Sequence, residues 1–261
     1  MRLSALLDCH SHFSFGIGAS SPTRIVERAA ELGYNAVALV DENGVYGAVE
    51  AQRAGKKHGV KVLIGATVQL KGDTNIYPLG LIAINRAGYE TLCNLLTTVH
   101  ANDDKQVTLP VLLAHTSNLI CVTGGRDGFP TRLLAERKIT QAEQLLSTLK
   151  GAFAERLYLQ LYYGAYPRDL LRARKLRDFA RSQGVPVVSA LEVRYATPNL
   201  YPLYDTMVCA RLGVTVHDPH RLEAAERLPG GSRSLCLEQA AAASSPIPRR
   251  CSERRDHRAG V

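Results

Sequence analysis

This chain of 261 residues has no apolar run approaching the roughly 18 residues of a membrane-spanning helix, and its start lacks the basic, apolar and small-residue order of a secretion leader. A membrane partner is therefore not expected, and the chain is expected in the cytoplasm. Its six cysteines (Cys9, Cys93, Cys121, Cys209, Cys236 and Cys251) form no CxxC pair and lack the density of a disulfide scaffold. The first four sit among apolar neighbours and read as small core residues. No Gly-x-x-x-x-Gly-Lys pattern surrounds Gly44 and Gly47, so they read as turn glycines rather than a nucleotide phosphate loop. Charge of one sign is also limited. The formal net charge is +8, and six arginines from Arg233 onward, set against Glu238, Glu253 and Asp256, place +3 of it at the end of the chain. That balance suits an acidic partner such as DNA without requiring one.

What is present reads as an α/β protein. Hydrophobic residues make up 46% of the sequence, enough for a substantial core. Short β-branched runs at 5–9, 36–40, 60–70 (interrupted at Gly65), 77–84, 119–123, 156–162 and 185–190 predict strands. Helical periodicity follows at 45–58, 88–100, 129–137, 140–150, 167–183 and 199–211, with a loop and a short ordered piece over 101–117. Another helix starts at Ser21-Pro22, a capping hydroxyl followed by a proline where no donor is needed, and Gly33 closes it. About seven strand–helix units predict a barrel, whose sites assemble at strand C-terminal ends. His10, His12, Asp41, Thr67, Gly124 and Glu192 are expected there. After Pro229 the apolar periodicity ends. Residues 230–261, with an alanine block at Ala240–Ala243 and many arginines, read as a disordered basic tail. Its abrupt change of character is what out-of-frame translation would produce.

The chemistry concentrates in Leu6-Leu7-Asp8-Cys9-His10-Ser11-His12-Phe13-Ser14. In an extended strand His10 and His12 share a face and could hold one ion, and neutral imidazole suits zinc, iron or manganese. Such ions activate water toward phosphoesters. Cys9 is a further sulfur donor beside them. Asp41 follows a buried strand and reads either as a ligand or as a cap for the next turn. His100 ends an amphipathic helix and reads either as a ligand or as a partner of the helix dipole. His58 and His115 are assigned no role, and Arg126 and Lys138 read as solvated surface that could face DNA.

Three stretches then form a recognisable series. They are Asp8 to Ser14, Gly18-Ala19-Ser20-Ser21-Pro22, and Asp41-Glu42-Asn43-Gly44-Val45-Tyr46-Gly47. Further pieces at 64–66, 85–89, 123–128 and 204–209 extend it. The series resembles the PHP (polymerase and histidinol phosphatase) domain that opens bacterial C-family DNA polymerases, most closely the error-prone type. The resemblance implies a PHP domain over 1–229, folded as a distorted seven-stranded (βα) barrel. It also implies a ring of His, Asp, Glu and Cys ligands for divalent ions that hydrolyse phosphoesters.

Carried over position by position, His10, His12, Asp41 and His100 match that ring. Glu42 stands where a His follows the aspartate, and Glu192 and Arg194 hold the places of an Asp-x-His pair. Ile17, Thr67 and Gly124 replace ligands outright. Without a bridging glutamate at Thr67 a multinuclear cluster is not expected. What stays open is one ion (Zn, Mn or Fe) on His10, His12, Asp41, Glu192 and, by the carry-over, Glu42 and His100. The other possibility is a site closed by Arg194–Glu192 and Arg194–Asp41 ion pairs. Catalytic residues are not assigned. Three functions are compatible: a metal-dependent phosphoesterase (exonuclease or phosphatase), a structural module contacting DNA and polymerase subunits, and a truncated polymerase fragment whose palm aspartates lie beyond residue 261.

Overall fold

The computed structural model describes residues 3–123, 125–162 and 169–218. The tail read at 230–261 and the reading of Gly124 lie outside the described residues. Seven strands form one curled sheet in sequence order: β1 (Leu3–Cys9), β2 (Tyr34–Leu39), β3 (Lys61–Lys71), β4 (Ile76–Ala83), β5 (Leu119–Val122), β6 (Leu157–Leu161) and β7 (Val187–Ser189). Pairing is parallel across β1–β2–β3, antiparallel across β3–β4–β5, and parallel again to β7. Beyond β7 the chain returns to the first strand. The Val193 amide donates to the Asp8 carbonyl at 2.7 Å and the His10 amide to the Val193 carbonyl at 2.8 Å. This parallel bridge of Val193 with Cys9 turns the sheet back on itself.

Helices cover the outside: α1 (Pro22–Glu31), α2 (Ala48–His58), α3 (Arg86–Ala101), α4 (Leu109–Leu113), α5 (Phe129–Ala135), α6 (Ile139–Phe153), α7 (Asp169–Ser182) and α8 (Tyr201–Leu212). Ser21 caps α1 as its chemistry demands, accepting from the Arg24 amide through its hydroxyl. The period-two alternation of strands sorts side chains between helices and interior. Val68, Leu70, Leu79, Leu81, Leu157, Leu159 and Leu161 pack outward against α3–α7, while Val37 and Leu39 meet α1 and α2. The interior is narrower, plugged by Ala38, Val40, Ile82 and Val122.

Two expectations are corrected. Gly65 does not interrupt β3, which runs unbroken for 11 residues. Gly65 faces Ile82 across the ladder, and a Cβ there would sit 2.4 Å from the Leu81 carbonyl oxygen, so the glycine serves strand contact. Cys93 is half-buried on α3, whereas Cys9, Cys121 and Cys209 are core residues as expected. Burial pushes the Cys121 thiol up to about 12, so it is inert at neutral pH. Among the described residues no helix is long and apolar enough to cross a membrane.

Candidate functional site

Above the interior plug lies a cavity of about 270 Å³, lined by Asp8, His10, Glu42, Thr67, Gln160 and Glu192 together with Arg126 and Arg194. Several of these polar groups come from within strands. Alternation aims Thr67 and Gln160 at the cavity from β3 and β6, while a register shift between Leu6 and Cys9 turns Asp8 of β1 inward. Thr67 is not at a strand end; β3 runs four residues past it, and its hydroxyl donates to the Val40 carbonyl at 3.0 Å.

The histidine pair does not share a face. Strand β1 ends at Cys9, and residues 11–14 wind into a turn closed by the Ser14 amide donating to the Ser11 carbonyl at 2.9 Å. The cause is Asp41. It is 1% exposed and accepts from the Ser11 amide at 2.6 Å, the Ser11 hydroxyl at 2.7 Å and the Ser14 hydroxyl at 2.7 Å. Drawing both serines onto one carboxylate curls the chain, so His10 turns inward while His12 points to solvent against the edge of Phe13.

His10 is 5% exposed, with Nε2 3.0 Å from Asp8 Oδ1 and 3.9 Å from Glu192 Oε1, and Nδ1 3.4 Å from Ser14 Oγ. Burial opposes its protonation, but the hydrogen bond and charge of Asp8, with Glu192 behind, raise it above the ordinary histidine range. Asp8 shows the mirror balance. Burial pushes its carboxyl up, yet the bond and charge of His10, the Gln160 amide and the Arg194 charge hold it below the usual carboxylate range. Gln160 donates to Asp8 Oδ2 at 2.7 Å and to the Ala190 carbonyl at 3.1 Å, bracing the carboxylate from β6.

Arg194 completes the group. Its Nε donates to Glu192 Oε1 at 2.8 Å and its Nη1 to the Tyr204 hydroxyl at 2.7 Å. Of the two expected closing ion pairs, Arg194–Glu192 is present. The Arg194–Asp41 pair is not, because the Asp41 oxygens are taken by Ser11 and Ser14.

The six proposed ligands are not gathered into one shell. Only His10, Glu42 and Glu192 line the cavity, and Glu42 accepts from Gln69 at 2.9 Å. His100 lies exposed on the far side of the Asn43 loop, donating through Nε2 to the Asn43 carbonyl at 2.6 Å. Among the described residues no three His, Cys, Asp or Glu side chains come together as a metal site. Asp41 accepts three hydrogen bonds, Glu192 is ion-paired with the Arg194 guanidinium, and His10 faces hydrogen-bond partners at both ring nitrogens. Sequence reasoning missed Asp8 and Gln160. Their signal was a polar residue inside an apolar strand, as in Leu6-Leu7-Asp8-Cys9 and Leu159-Gln160-Leu161.

The PHP domain family matches residues 7–162 of this chain. The chain belongs to the PHP domain family. The chain is 30% identical to the error-prone DNA polymerase of Symbiobacterium thermophilum over 233 residues, covering 82% of this chain and 21% of that protein. It is 32% identical to error-prone DNA polymerase 1 of Agrobacterium fabrum over 219 residues, covering 82% and 19%. The chain spans about a fifth of the length of these curated relatives. Among solved structures, an amidohydrolase from Chromobacterium violaceum superposes with a TM-score of 0.54 at 14% identity, over 78% of this chain and 96% of that chain. That likeness is one of fold, and it agrees with the barrel expected from the motifs.

Proposed function

We propose that this PHP domain serves an error-prone C-family polymerase as a scaffold, contacting polymerase subunits and DNA rather than hydrolysing phosphoesters with a bound metal. The observation that carries this reading is the state of Asp41. A carboxylate offers about four lone-pair sites, and hydrogen bonds from Ser11 and Ser14 already take three of those on buried Asp41, which leaves at most one, on Oδ2, for an ion. The Arg194–Glu192 pair supports the same reading, because a fixed guanidinium beside the site repels a divalent cation. In this reading the cluster holds the β1–β2 end of the barrel in shape and supplies no nucleophile.

Elemental analysis of the purified chain, paired with manganese-dependent phosphatase and exonuclease assays, tests it. Markedly substoichiometric metal, and activity no higher than in His10→Ala, are expected. One tightly held ion per chain, or hydrolysis abolished by His10→Ala, would overturn the scaffold reading.

A further inference from the structure

Helix α7 carries five basic residues (Arg172, Arg174, Lys175, Arg177, Arg181) against two acids (Asp169, Asp178). Its inward side is buried, with Ala173, Leu176, Phe179 and Ala180 packed on β6 and α5, while Leu170 and Leu171 near its start are exposed. At 100° per residue, Arg174, Arg177 and Arg181 then fall in one outward stripe about 10 Å long. Arg177 is held by Asp178 at 2.9 Å, but Arg174, Lys175 and Arg181 form no ion pair among the described residues. The acids of neighbouring elements are engaged elsewhere. Glu143 of α6 accepts from Gln183 at 3.3 Å, and Asp127 accepts from Arg132 at 3.2 Å. The positive charge also continues toward the barrel mouth, where Arg172 and Arg126 line one crevice.

We infer that the outer face of α7 binds the phosphodiester backbone of duplex DNA, without reading its sequence. Three unpartnered cations on a rigid helix form a surface that attracts a polyanion through counterion release. Duplex is favoured over single strand because α7 exposes no aromatic ring on which unpaired bases could stack; its one aromatic, Phe179, is buried. An acidic protein segment is the other polyanion that such a face could hold, and tighter binding of polyglutamate than of the duplex would overturn the inference. The inference rests on the DNA-contact part of the proposed scaffold role, whereas the absence of metal chemistry is judged at the Asp41 cluster, so duplex binding and metal content can fail separately.

The test uses the full 261-residue chain and a 20-base-pair duplex of arbitrary sequence, titrated by fluorescence anisotropy across a salt series. The triple variant Arg174→Gln/Lys175→Gln/Arg181→Gln is compared with Lys56→Gln/Lys57→Gln/Lys61→Gln, which removes equal charge from exposed positions of α2 and β3. All six positions are exposed, and thermal melting confirms that both variants fold. The α7 variant should bind at least about tenfold more weakly, and its slope of log K against log salt should shrink by about 2–3. The α2–β3 variant should bind as the parent does. Equal weakening in both would make the binding a matter of net charge and overturn the inference. So would an α7 variant that binds as the parent, absence of binding in the parent, or tighter binding of a single strand.

Discussion

Asp41 illustrates how a residue type that ligates metals becomes a structural anchor. Its three hydrogen bonds run to two serines in one turn, and the carboxylate is buried. Asp41→Ala leaves those donors unsatisfied in a dry site, and urea denaturation should record a loss of about 2–4 kcal/mol. Asp41→Asn keeps an acceptor and should lose about half as much.

The Asp8–His10 pair makes a different prediction. Because His10 is raised above 6.5 in the folded state, its contribution to stability is complete below 6.5 and is lost as pH rises through the folded value. Because Asp8 is lowered beneath 3.8, its contribution is complete above 3.8 and is lost as pH falls through the folded value. The stability gap between the parent and His10→Gln should therefore be widest from pH 3.8 to 6.5 and narrow above it. Denaturant midpoints measured across pH check this. A gap that keeps widening above neutrality would rule the pair out as its source.

At the scale of elements, most boundaries follow from local chemistry. The Ser21 hydroxyl and Pro22 start α1 where expected, and Ser21→Ala should cost about 1 kcal/mol in a thermal or urea melt. The antiparallel turn-back at β3–β4 follows the polar Lys71-Gly72-Asp73 stretch, and α3 begins at the Asn85 cap, whose side chain accepts from the Gly88 amide. Gly65 marks where local reading fails. Without a partner strand in view, glycine in a β run reads as a break, whereas here it admits the close approach of the Leu81 carbonyl. Gly65→Ala should destabilise by about 2–3 kcal/mol, measured by chemical denaturation, since backbone rather than a flexible side chain stands in the way.

At the scale of the molecule, the curled sheet is completed by the two hydrogen bonds between β1 and Val193 rather than by an eighth strand. Hydrogen exchange should find the His10 and Val193 amides protected like those of the sheet, and fast exchange at Val193 would show that the closure opens independently. If the Arg194–Glu192 pair and the Asp41 bonds hold the barrel mouth without an ion, a chelator should leave Tm unchanged. A drop on chelation, reversed by adding back a divalent ion, would show that metal is part of the fold.

The family and the order of strands and helices were legible in the sequence because both rest on short-range signals: periodicity, caps, turn residues and contiguous motifs. Of the six candidate ligands, His10, Glu42 and Glu192 line the cavity at the barrel mouth, whereas His12 and His100 are exposed outside it. What those residues do there depends on partners far along the chain. Asp41 meets Ser11 across 30 residues, and Gln160 meets Asp8 across 152. No local pattern encodes such a meeting. Whether a buried carboxylate faces an ion or a hydroxyl is decided only when the folded chain removes water and leaves one set of donors within reach.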